Sequence, residues 1–140
     1  MLKFRFNRLM EVKEKVLEHR KRELETALAV ANMLSERIHA IEREVAFHHK
    51  DMAVRCLTGR EFSLLISHLA YLDGEKTTVT RELKRADGLV DTLRKELSAL
   101  AVELKMFEKL KSKAVHGQRK RDRKKEQKML DELALRIEGT

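Results

Sequence analysis

Proline and tryptophan are absent from the 140 residues, a single cysteine stands at position 56, and aromatic residues make up only 4%. Each absence removes a class of structure. Without proline, nothing in the chain obliges a long helix to stop. One cysteine leaves no internal disulfide, and so few rings allow the apolar residues to line a narrow seam but not to fill a thick core. No apolar run is long enough to cross a bilayer, and the opening MLKFRFNRLM puts charge where a signal peptide needs an apolar stretch. A reduced, cytoplasmic setting is the expectation. Gly-rich phosphate loops, nucleophile elbows and convergent acid pairs are missing as well, which argues against an enzyme.

What the chain does have is charge, 39% of its residues, with a net of +8. The excess is local. Between Lys109 and Lys128 ten Lys or Arg face only Asp122 and Glu126, and the remainder sums to zero. A neutral mixture of both signs is the expected flank of a coiled coil, whereas a nucleic-acid binder would carry its basic residues more generally. A basic coiled-coil arm on nucleic acid is retained as the alternative from another class. It fits poorly, because in basic-zipper proteins the basic region precedes the heptads and here it follows them.

The fold class read from periodicity is all-α. Leu24, Ala27, Ala31, Leu34, Ile38, Ile41 and Val45 alternate steps of three and four residues, and His48 and Met52 continue the phase. Nearer the start, Phe6, Leu9, Val12, Val16, Arg20 and Leu24 imply an irregular phase, read as a stutter. A second seam runs Phe62, Leu65, Leu69, Leu72, Lys76, Val79, Leu83, Ala86, Val90, Leu93, Leu97, Leu100, Leu104, Phe107. Between the seams, Thr58 and Glu61 form a capping box, Leu57 and Phe62 a hydrophobic staple, and Gly59 the expected punctuation.

So short a connection forces antiparallel neighbours. The expectation is one coiled-coil domain over residues 1–140, intramolecular, with helix one over about residues 3–56, a turn at about 57–59 and helix two over about 60–137. Helix one would be roughly 80 Å long. Around Gly74, the weak helix formers Asp73, Thr77, Thr78 and Thr80 mark the place where helix two is weakest. Glu103 is assigned to the outer face.

Two surfaces are left over. With the turn centred near Thr58, Leu2 lies opposite about Ala114, so helix two overhangs from about 116 to 140. The overhang holds the basic RKRDRKKEQK and then Met129, Leu130, Leu133 and Ile137 at helical spacing, suited to a partner with acidic walls or to a solvated tail. Near the turn, Leu64, Ile66 and Tyr71 are apolar beyond what the seam uses. His48, Met52 and Cys56 recur at four-residue spacing, but the ligand set is incomplete, so no metal and no cofactor is expected.

The ends of the chain carry a resemblance. KFRFNRLMEVKEK looks like the short F-x-F start of the FliJ family of flagellar type III export proteins. FEKLKSK, the basic stretch and EQKMLDELALR are similar to that family's closing pattern, including Leu130, Asp131 and Glu132. The resemblance implies a central-stalk-like coiled coil whose paired termini enter a hexameric export ATPase. Its implied contacts are Phe4, Phe6, Arg119, Arg123, Lys124, Lys125, Met129, Leu130, Asp131, Glu132 and Leu133. It also implies contact with the export gate membrane protein through Leu65, Leu69 and Leu72, where a bulky Leu replaces a small residue and an aliphatic side chain an aromatic one. The ATPase regulator and export chaperones complete the implied partners, and the implied position is peripheral to the inner membrane. The stalk protein of virulence type III secretion systems is the second reading, and the LDE ending favours the flagellar one.

Overall fold

The computed structural model describes residues 2–138, with side chains from Arg5 onward. Two helices account for nearly all of it, α1 over Leu2–Val54 and α2 over Gly59–Glu138, packed against each other as an antiparallel hairpin. Their contacts divide the chain into two compact units, one of Met1–His19 with Leu97–Thr140 and one of Arg20–Glu96.

The connection, residues 55–58, is closed from both sides by hydrogen bonds. Arg55 N–H donates to the Asp51 carbonyl at 2.9 Å, and Phe62 N–H donates to the Thr58 carbonyl at 2.9 Å. Thr58 Oγ1 accepts from the Glu61 backbone N–H at 3.2 Å, which satisfies one of the unpaired donors that begin a helix. The cap, and not glycine, therefore makes the turn. Among the described residues no glycine has a positive φ, and a Cβ at Gly59 would meet nothing within 4 Å.

In the Arg20–Glu96 unit the seam follows the heptad positions. Ile41 and Leu72 are essentially fully enclosed, and Ala27, Ala31, Val79, Val90 and Leu93 are buried. Ala27, Val90 and Leu93 form one cluster with Leu24 and Leu28 against it, so that Ala27 of α1 lies among larger side chains of both helices. Phe62 is a correction: it was assigned to the seam but is 48% exposed, because α1 ends at Val54 and leaves the first turn of α2 uncovered.

The start of α1 also departs from the expected phase. Leu9, Val12 and Val16 are exposed, while Phe6, Met10, Lys13, Leu17 and Arg20 are half-buried. Those five extend the three-and-four spacing backward from Leu24 without a stutter. Lys13 and Arg20 thus occupy seam positions, and each extends its charged end to a glutamate at the flank of α2. Lys13 Nζ is 3.1 Å from Glu103 Oε2, and Arg20 Nε is 3.3 Å from Glu96 Oε2. Glu103 is accordingly half-exposed but paired across the helices, not idle on the outer face. Lys76, the polar seam position of α2, reaches Glu42 at 3.4 Å. Arg37 Nε donates to Glu75 at 3.0 Å, and this hydrogen bond and charge raise the guanidinium pKa further.

The weak stretch around Gly74 stays inside a continuous α2. Thr77 and Thr78 donate their hydroxyls to the carbonyls of Asp73 and Gly74 at 3.0 and 3.1 Å, and Thr80 donates to Lys76 at 2.7 Å. Back-bonding of this kind lets threonine sit within a helix with its hydroxyl satisfied.

Candidate functional site

Among the described residues, three places bring together side chains suited to contacts beyond the seam. The first is the end of α2. Every residue from Gln118 to Glu138 is exposed, and α2 is helical through all of them. Gln118 and Gln127 support the helix locally by donating to Asp122 and Asp131, at 3.4 and 3.1 Å. Arg119, Arg123, Lys124 and Lys125 are exposed, as are Asp131 and Glu132. Met129, Leu130, Leu133 and Ile137 are 64, 59, 50 and 75% exposed. Their spacing confines them to about 100° of the helix circumference, with Leu135 on the far side. A helical stripe of this kind has the geometry to enter an apolar groove, and the basic residues before it carry the charge to attract an acidic surface.

Phe6, assigned to the same site, is half-buried in the seam and only partly available to a partner. Phe4 lies outside the residues whose side chains are described.

The second place is the turn-proximal part of α2. Leu72 is 2% exposed and Leu65 and Leu69 are half-buried, so these three face α1 before they face anything else. The accessible apolar side chains here are Phe62, Leu64, Ile66 and Tyr71, at 48, 64, 45 and 66% exposure, with Phe47 and Val54 on α1 also exposed. A partner arriving at this end meets those residues first.

The third place was not found from sequence. Glu44 and His48 stand one helical turn apart on α1, and the antiparallel register brings His68 of α2 to them. His68 Nε2 is 3.1 Å from Glu44 Oε1, His48 Nε2 is 3.8 Å from the same oxygen, and the two rings meet edge to face at 5.1 Å. Phe47 packs edge-on against His48 and Tyr71 stacks on His68, with centroids at 5.6 and 6.3 Å. The sequence reading joined His48 to Met52 and Cys56 along one helix. The usable signal was the turn itself, since His48 and His68 are equally distant from Thr58.

No helix among the described residues is long and apolar enough to cross a membrane. The family model for the flagellar FliJ protein matches residues 2–138, which takes in both helices and the overhang. No curated protein matches the chain, and no solved structure does.

Proposed function

The chain belongs to the flagellar FliJ protein family and is a flagellar export-associated protein, and from that premise we propose that it is the coiled-coil stalk of the export machinery, gripped at its overhang by the hexameric export ATPase. The observation that carries this reading is the uncovered helix of residues 118–138, basic first and apolar after. An amphipathic helix with no cover of its own has a strong reason to seek one, because burying its apolar stripe in a partner removes that area from water. Arg119, Arg123, Lys124 and Lys125 steer the approach toward acidic walls, Met129, Leu130 and Leu133 anchor it, and Asp131 and Glu132 flank the anchors. Phe4 and Phe6 contribute from the start of α1.

The same protein links the ATPase to the export gate through its turn-proximal end. Leu65 and Leu69 are half-buried there beside the exposed Leu64, Ile66 and Tyr71, so the gate contact uses the exposed residues, with Leu72 supporting them from inside the seam. Contacts with the ATPase regulator and with export chaperones belong to the same role, and the protein reaches the inner membrane through these partners.

Binding of the purified chain to the purified export ATPase, followed by calorimetry and by ATPase rate, tests the proposal. Saturable binding and a raised rate are expected. Tyr71→Ala with Leu64→Ala should weaken binding to the gate's cytoplasmic part and leave ATPase binding unchanged. A chain that binds neither partner would overturn the stalk reading.

A further inference from the structure

We propose that Glu44, His48 and His68 form a site for a divalent transition-metal ion that joins α1 to α2 close to the connection. These residues each offer one ligand atom, and the three atoms lie within 4.8 Å of one another, the one such group of three among the described residues. Around a tetrahedral ion with N and O ligands at about 2.0–2.2 Å, neighbouring ligand atoms are roughly 3.4 Å apart. The observed separations from Glu44 Oε1, 3.1 Å to His68 and 3.8 Å to His48, bracket that value.

Placement on two helices makes the arrangement firm. Glu44 and His48 share one face of α1 because they are four residues apart, and the seam fixes His68 across from them. The side chains of Glu44, His48 and His68 are 43, 21 and 42% exposed, so the ion has a route in from solvent. Phe47 and Tyr71 pack on the two rings and restrict their rotation. Coordination uses the Nε2 lone pair of each ring, so both histidines carry their proton on Nδ1 in the bound form.

Two imidazoles and a carboxylate suit zinc, cobalt or nickel and do not suit magnesium or calcium, which take oxygen ligands. Three protein ligands leave one tetrahedral position for water. The ion would hold the helix ends together where the cap of Thr58 otherwise closes the turn, and it would do so whether or not the stalk reading is right.

The chelator-treated full chain, titrated with Zn²⁺ by calorimetry and with Co²⁺ by visible absorption, should take up one ion per chain. Zn²⁺ should raise the melting temperature, EDTA should reverse the rise, and Mg²⁺ should give none. His48→Ala and His68→Ala should each weaken binding by roughly 100-fold or more, since each removes one of three direct ligands and loss of even a supporting partner costs about 10–100-fold. His68→Gln and Glu44→Gln, which keep side-chain size, decide the matter if an alanine variant loses helicity. His39→Ala, His49→Ala and Cys56→Ser should bind as the parent does. Absence of saturable Zn²⁺ uptake would overturn the site, as would uptake that survives His48→Ala and His68→Ala or disappears with Cys56→Ser.

Discussion

Lys13 Nζ lies 3.1 Å from Glu103 Oε2, 90 residues further along the chain, and the point midway between them is Thr58. Arg20 and Glu96 share the same midpoint, at 3.3 Å. Polar side chains at seam positions weaken a coiled coil but select one register, because every other alignment strands them against apolar neighbours. At the flank of the seam the pairing itself is worth little, since Lys13 and Glu103 are 29 and 49% exposed. Glu103→Lys should therefore destabilise by only about 0.5–1 kcal/mol, through repulsion from Lys13, and the loss should shrink in high salt. Lys13→Leu should be neutral or stabilising. Urea melts at low and high salt check both.

The enclosed seam residues should respond on a different scale. Ile41 is 0% and Leu72 2% exposed, so Ile41→Ala or Leu72→Ala should cost about 2–5 kcal/mol, transfer and cavity together. Val102, 58% exposed, should tolerate Ala within about 0.5 kcal/mol. Chemical denaturation of the three variants gives the comparison. Similar midpoints for all would contradict the seam. Leu72→Ala also bears on the gate contact, because any loss of gate binding in that variant has to be separated from its loss of stability.

The connection offers a local test. Thr58 Oγ1 accepts from Glu61 N–H, and Thr58→Ala should cost about 1 kcal/mol while Thr58→Ser should cost much less. Gly59→Ala should be tolerated, because its Cβ meets nothing within 4 Å and no positive φ is required there. Thermal melts of the three variants would show whether the cap or the glycine holds the turn.

Most of the fold could be read from residue spacing because apolar side chains at steps of three and four have one good solution, a partner helix. From Leu24 to Met52 and from Leu65 to Phe107 every position assigned to the seam is buried or half-buried. The start of α1 misled because its seam carries Lys13 and Arg20 while Leu9, Val12 and Val16 point outward, an inversion of the usual pattern. Phe62 misled because heptad phase says nothing about where the partner helix ends. His68 was missed for another reason, since only the register set at Thr58 points to it. Proximity to Glu44 arises only from register, over a separation of 24 residues, and no local pattern encodes it.

The overhang can be separated from the fold by shortening the chain. Residues up to Gly117 include every buried and half-buried position, whereas all described residues from Gln118 onward are exposed. A chain ending at Gly117 should thus melt close to the full-length protein. Binding to the export ATPase should be lost, because the removed segment holds the basic run and the stripe of Met129, Leu130, Leu133 and Ile137. Two double variants divide the contributions. Lys124→Glu with Lys125→Glu should weaken binding strongly at low salt and less at high salt, since exposed charges act through a screened field. Leu130→Ala with Leu133→Ala should weaken it to a similar extent at both, since apolar burial carries little dependence on ionic strength in the physiological range. Calorimetry at two salt concentrations distinguishes the pairs. Full-strength binding by the shortened chain would move the ATPase contact onto the paired helices, where Phe6 and the start of α1 become the residues to test.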